Sequence, residues 1–252
     1  MAETRLEHSH HPDAIRARLA EQPSQSYLSD AILGGIDGCV TTVAVIASVA
    51  GAGLPGMVAF VLGIANMVAD AFSMGVSNYQ AVKSQDDARD RLREQEKRHI
   101  RYAPDGEREE IREIFRQKGF EGDTLEQVVD TISADKRLWV NTMIQEEFGY
   151  ALSGPAPMKS ALATFCVFVG VGLIPLLPFL LPFLAGVQMF VVSGTTAIGA
   201  LFAIGWVKGQ ILGMGRFRAG LETLAMGGGA AAVAFFCGFV LEPMLGDMAF
   251  MG

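Results

Sequence analysis

Apolar and polar positions fall in long blocks along this chain instead of alternating every few residues. Five runs, about 31 to 53, 55 to 79, 159 to 181, 183 to 207 and 222 to 245, are each long enough as helix to cross a hydrocarbon core of about 30 Å. Only Gly51 to Pro55 separates the first two, and only the Pro178 to Pro182 region the third and fourth, so each pair is predicted to form a tight helical hairpin. Residues 84 to 150 are charged and helical in pattern, continuing the second span, with Pro104 breaking one helix and Asp105 placed to cap the next. The expected fold is an all-α membrane protein with five transmembrane helices and a cytosolic three- or four-helix insert between helices 2 and 3. The domain plan is a cytosolic N-terminal tail (1–29), helices 1 and 2 (30–83), the insert (84–152) and helices 3 to 5 (153–252).

Composition supports that division. Half of the 252 residues are apolar and 29 are glycine, with a mean hydropathy of +0.32, too apolar and glycine-rich for an ordinary soluble domain. Residues 31 to 78 and 160 to 207 hold no Lys or Arg, and no acid besides Asp37 and Asp70. The net charge of −7 arises mostly in the insert and carries no nucleic-acid signal. Cys39, Cys166 and Cys237 each lie in apolar runs, which suits small buried thiols better than a disulfide framework. No apolar leader precedes the first span, so that span is expected to target the bilayer itself.

All 20 cations lie on the side of the bilayer that holds the N-terminus: before the first span, from Lys83 to Arg137, at Lys159, and at Lys208, Arg216 and Arg218. Lys and Arg near span ends are retained in the cytoplasm. The N-terminus and the insert are therefore expected to be cytosolic and the C-terminus on the opposite face. A plasma membrane is the expected host.

A carboxylate inside a bilayer is costly unless protein, water or a cation compensates it. The first span carries Asp37 and, one turn on, Thr41; the second carries Asn66, Asp70, Ser73, Met74 and Ser77, which share a face at i, i+4, i+8 spacing. Oxygen ligands joined by a thioether suit a divalent transition ion such as Fe(II) better than Mg(II) or Ca(II). Packing is the competing reading of Met67 and Met74, since Met is common core filler. Glycines 34, 35, 38, 63 and 75 are assigned to close helix approach.

In the insert, Glu96 with His99, Glu107 with Glu110, and Met143 with Glu147 each share a helix face. If the three faces met, carboxylates, an imidazole and a thioether would cluster, in the manner of Glu-x-x-His ligation in di-iron bundles. Solvated charge is the alternative, and Glu109 with Glu113 or Arg108 with Arg112 read that way. His8, His10 and His11 form a short cluster that suits either metal binding or a disordered tail.

Ile36-Asp37-Gly38, Gly63-Ile64-Ala65-Asn66, Ala71-Phe72-Ser73-Met74-Gly75 and Tyr79 through Lys83-Ser84 resemble the vacuolar iron transporter family. The likeness runs without gaps from Asp37 through Glu147. It implies a homodimer of five-helix protomers that exports Fe(II), and often Mn(II), Co(II) or Zn(II), from the cytosol in exchange for protons, through a pore between the first spans. On that resemblance Asp37 and Met74 match the pore acid and thioether. Asn66 stands where plant members have a Glu, and Asp70, one turn along, is placed to restore the charge. Glu96, Glu107, Glu110, Met143 and Glu147 match the ligands of the family's metal module, while His99 replaces a Glu and Ile144 a second Met. Iron(II) is then cargo and bound ion at once. The rival readings are a membrane-anchored ferroxidase and an iron-binding protein without transport. No Gly-x-x-x-x-Gly-Lys phosphate loop is present for ATP coupling.

Overall fold

The structure is a computed structural model and describes residues 10–20 and 26–249, with side chains described as far as Pro243. The chain is helical throughout, with no strand among the described residues: α1 (Pro12–Ala20), α2 (Leu28–Gly51), α3 (Gly56–Tyr102), α4 (Pro104–Gln117), α5 (Gly122–Ala134), α6 (Lys136–Glu146), α7 (Pro157–Gly172), a 3-10 segment (Ile174–Leu180), α8 (Val187–Ile211) and α9 (Arg216–Ala249). Four helices, α2, α3, α8 and α9, are long and apolar enough to cross a membrane. A fifth span is completed if α7 and the 3-10 segment, bent by 41° from one another, count as one. At 1.5 Å per residue, the 24 residues of α2 reach about 36 Å, more than the roughly 30 Å hydrocarbon core requires.

The third apolar run departs from the expected simple hairpin. Its helix stops at Gly172 because Pro175 has no N–H to continue the ladder and its ring opposes the carbonyl four residues back. The chain proceeds as the 3-10 segment with Pro178 inside, and α8 begins only at Val187. The fifth run begins six residues earlier than its apolar pattern suggests, at Arg216. The capping expectation at Asp105 also fails: α4 starts at Pro104, Ala103 occupies the cap position without a side-chain bond, and Asp105 sits in the first turn. A proline at the first helical position needs no donor there, so the helix begins two residues before the Gly106 start that a cap at Asp105 would set.

α2 is the centre of the apolar assembly, packed on α7 and α9 above all and also on α3 and α8. Small residues make these approaches possible. A methyl at Gly38 would lie 2.4 Å from the Phe168 carbonyl oxygen of α7, and one at Gly238 would lie 2.0 Å from the Ser48 carbonyl oxygen of α2. Backbones in such contact gain dispersion where no hydrophobic drive between helices exists in lipid. Ile46, Val49, Ala59, Met67, Phe168 and Leu176 form the buried centre between α2, α3 and α7. The outer surfaces are apolar instead: Met226, Val233, Phe236 and Phe239 on α9 are all exposed. An apolar exterior on helices of this length identifies an integral membrane protein.

One unbroken helix links the two halves of the molecule. The 47 residues of α3 run from Gly56 through the second apolar run into the charged region, ending at Tyr102. Its polar end packs with α6 and α4, and α5 packs against both α4 and α6. Ile111, Leu125, Val129, Ile132, Trp139 and Met143 form a separate core there. Arg112 grips Glu126 with two bonds of 2.7 and 3.0 Å, and Arg108 reaches Asp130, tying α4 to α5.

Candidate functional site

The insert brings its acids together from three helices. Glu96 projects from α3 and Glu107 from α4, only 1% and 4% exposed, while His99 between them is half-exposed. The His99 Nδ1 lies 3.2 Å from the Glu107 carboxylate and 3.7 Å from that of Glu96. One ligand atom from each of the three falls within 4.8 Å of the others. Both carboxylate oxygens of Glu96 and one of Glu107 are buried with no hydrogen-bond donor. Buried anionic oxygens without donors are costly, and a cation or a proton is what relieves them.

Electrostatics extends the cluster to Glu110 on α4 and Glu147 at the end of α6. Burial first, then the charges of Glu107 and Glu147, push the Glu96 carboxyl up to about 8. Burial and Glu110 raise Glu107, with His99 pulling it back. Desolvation, followed by Glu110 and Glu107, raises Glu147. Glu96, Glu107 and Glu147, each held toward its protonated form in this way, form with the neighbouring charge of Glu110 a site that a divalent ion can neutralise. Met143 lies in the buried apolar core of the insert, one turn before Glu147, whose N–H donates to the Met143 carbonyl at 2.9 Å. Among the described residues, Glu96, His99 and Glu107 are the group of His, Cys, Asp or Glu side chains close enough to hold an ion.

A second polar locus lies in the apolar half. Asp37 and Asp70 are half-buried electrostatic neighbours across the α2–α3 interface. Asn66, one turn before Asp70, donates its amide to the Asp70 carboxylate at 2.6 Å. Met74, one turn after, is partly buried against the core between α2, α3 and α7. Thr41 donates its hydroxyl hydrogen to the Asp37 carbonyl at 2.9 Å. The polar stripe is thus split: Asn66, Asp70 and Met74 turn inward, while Ser73 and Ser77 are exposed. Met67 is core, 2% exposed, with Gly172 close to its sulfur, so the packing reading holds for that methionine.

Two features escaped the sequence reading. Asn78 on α3 donates both to Asp30 on α2 (3.0 Å) and to Thr164 on α7 (2.8 Å), joining three helices through one amide. Thr164 is fully buried in an apolar run, where a lone hydroxyl was the available signal. Arg89, which the sequence does not single out, is 7% exposed and paired with Asp86. His8 lies outside the described residues; His10 and His11 flank the start of α1, with His11 3.8 Å from Asp13.

The chain matches the model of the VIT family over residues 28–239. It is 33% identical over 238 residues to "Vacuolar iron transporter 1" of Oryza sativa subsp. japonica, covering 93% of this chain and 92% of that protein. It is 33% identical over 218 residues to "Vacuolar iron transporter 1" of Arabidopsis thaliana, covering 84% and 85% of the two chains. With "Vacuolar iron transporter" of Toxoplasma gondii it shares 30% identity over 232 residues, covering 88% of this chain and 77% of that one.

Proposed function

The chain belongs to the VIT family, a family of metal transporters, and from that premise we propose that it exports Fe(II) from the cytosol in exchange for protons. The observation that carries this reading is the trio of donor-less buried carboxylate oxygens on Glu96 and Glu107 beside the His99 imidazole. Such a group binds a cation or keeps its protons, and a transporter's intake site must alternate between the two. In this reading Glu96, His99, Glu107, Glu110, Met143 and Glu147 collect Fe(II), the carboxylates and imidazole supplying hard and borderline donors and Met143 a soft one.

The ion then enters the apolar half, where Asp37, Thr41, Asn66, Asp70 and Met74 line the route. The charges of Asp37 and Asp70 act on one another, and in this reading one divalent ion balances both. After the ion leaves, two carboxylates in a medium of low dielectric cannot both stay ionised, and protons from the far side reset them. Five spans, an insert on the cytosolic side and a homodimer with the route at its interface complete the proposal. The cation distribution supports that orientation. Mn(II), Co(II) and Zn(II) are accepted by the same donors.

Proteoliposomes loaded with a metal-sensitive dye test the reading. Fe(II) flux that rises with an opposing proton gradient, and that Asp37→Ala abolishes in protein of unchanged elution volume, is the expected result. Equal flux in wild type and Asp37→Ala removes the route; flux indifferent to the proton gradient removes the exchange.

A further inference from the structure

On the neighbouring face of the same helix that carries Glu96 and His99, cations gather instead of acids. Arg93 and Lys97 of α3 and Lys136 and Arg137 at the start of α6 line a groove of about 480 Å³, with Val140 and Asn141 completing its wall. At 100° per residue the Arg93 and Lys97 pair sits roughly 110° round the helix from the Glu96 and His99 pair. We propose that this groove binds a phosphate-bearing anion larger than orthophosphate, either free in solution or presented on a lipid headgroup.

The charge arrangement favours an outside anion over the protein's own acids. Arg93 contacts Asp90 at 3.0 Å and also holds the Leu152 carbonyl, while Lys97 contacts Glu94 at 2.6 Å. Both acids are well exposed, and exposed pairs three residues apart contribute little, so a multivalent anion displaces them readily. Arg137 has the charge of Asp135 nearby, but among the described residues neither it nor Lys136 holds an acid in a salt bridge. Their nearest acid in sequence, Asp135, is committed to the backbone N–H groups of Arg137 (2.8 Å) and Leu138 (3.2 Å). The Asn141 amide adds a neutral donor to the wall.

Size and setting narrow the ligand. A groove of this volume falls within the range of small-molecule sites, roughly 300 to 1,000 Å³, and one orthophosphate leaves most of it unused. Cations contributed by two helices suit phosphates spaced along a chain or around a ring. The whole chain carries −7, which repels anions at long range, so retention here depends on the local arrangement and not on net charge. Arg93 lies ten residues, about 15 Å of helix, beyond Lys83, the first cation after the apolar part of α3. That height is within reach of a soluble polyphosphate or of a headgroup that projects from the bilayer. Because Arg93 also holds the Leu152 carbonyl on the connection to α7, the anion would bind where the insert rejoins the apolar half.

The test uses the full chain in phosphatidylcholine nanodiscs with a metal chelator present. Sodium tripolyphosphate is titrated by calorimetry near 0.15 M salt, and in parallel the thermal midpoint is measured with and without phosphatidylinositol bisphosphate in the disc. Wild type should bind tripolyphosphate or be raised in midpoint by the lipid. The Lys136→Gln, Arg137→Gln double variant should lose at least tenfold in affinity and most of the midpoint rise. Lys97→Gln alone should weaken both several-fold and serves if the double variant does not fold. A response to tripolyphosphate only assigns a free anion, and one to the lipid only assigns a headgroup. No response to either, or responses the variants leave unchanged, overturns the site.

Discussion

The side-chain amide of Asn66 donates to the carboxylate of Asp70 across 2.6 Å, one turn apart on α3, and so holds the carboxylate whose charge acts on Asp37 of the neighbouring helix. The acid of this stretch is therefore Asp70, with Asn66 holding it in place.

Asp70→Asn should lower Fe(II) flux into proteoliposomes by at least tenfold, because the pair would keep only one ionisable member. Asn66→Ala should cost a few-fold at most, since it frees the Asp70 carboxylate without removing it. Dye-loaded vesicles compare the two, and greater loss from Asn66→Ala would reverse the assignment.

Metal binding to the insert should release a proton and strengthen with pH. Glu96, held up to about 8 by burial and by Glu107 and Glu147, is neutral at pH 7 in the metal-free protein. An incoming ion must displace that proton, so affinity should rise about tenfold per pH unit between about 6 and 8 and level off above. Calorimetry in buffers of different ionisation enthalpy counts the protons released, and Glu96→Gln should flatten the dependence.

The same group sets a stability trend of opposite sign in metal-free protein. Its folded pKa stands above the ordinary 4.5, so its contribution to stability is complete below that value and is lost as pH rises through about 8. Thermal unfolding of the insert should fall over that window, Glu96→Gln should remove much of the fall, and Fe(II) should restore the midpoint at pH 8.

Gly238→Ala should destabilise the apolar assembly by about 1–3 kcal/mol, because the new methyl would meet the Ser48 carbonyl at 2.0 Å. Gly228→Ala on the same helix, with no atom within 4 Å of the new methyl, should be silent or slightly stabilising. Midpoints in detergent distinguish the two, and equal behaviour would refute close α2–α9 packing.

Asn78→Ala removes the donor shared by Asp30 and Thr164 and should cost about 1–3 kcal/mol, seen as a lower midpoint. Thr164→Val, which leaves the Asn78–Asp30 bond and, besides the Asn78–Thr164 bond, removes only the long 3.4 Å bond from the Thr164 hydroxyl to the Asp30 carbonyl, should cost less. The reverse order would place the weight of this junction on the threonine.

Part of the candidate site's grouping is legible in the sequence. The Glu96–His99 and Glu107–Glu110 spacings placed side chains on common faces, since a helical period is a local property of the chain. That α3 and α4 turn those faces toward one another was not legible, because it depends on the break at Pro104 and on the core around Ile111 and Trp139. Similarly, Met67 and Met74 look alike as residues seven apart, yet one is sealed against Gly172 and the other is only partly covered. No local pattern sets Arg93 and Lys97 beside Lys136 and Arg137, which only the packing of α6 on α3 brings to them.

By itself the sequence determined the helical class, the apolar stretches, the charged insert and the acids within the apolar stretches, because hydropathy and helical period act over one or two turns. Only the tertiary structure decided the meeting of Glu96 and His99 with Glu107, and of Arg93 and Lys97 with Lys136 and Arg137. Those outcomes depend on which surfaces exclude one another when helices distant in sequence compete for the same space, and no local pattern encodes that contest.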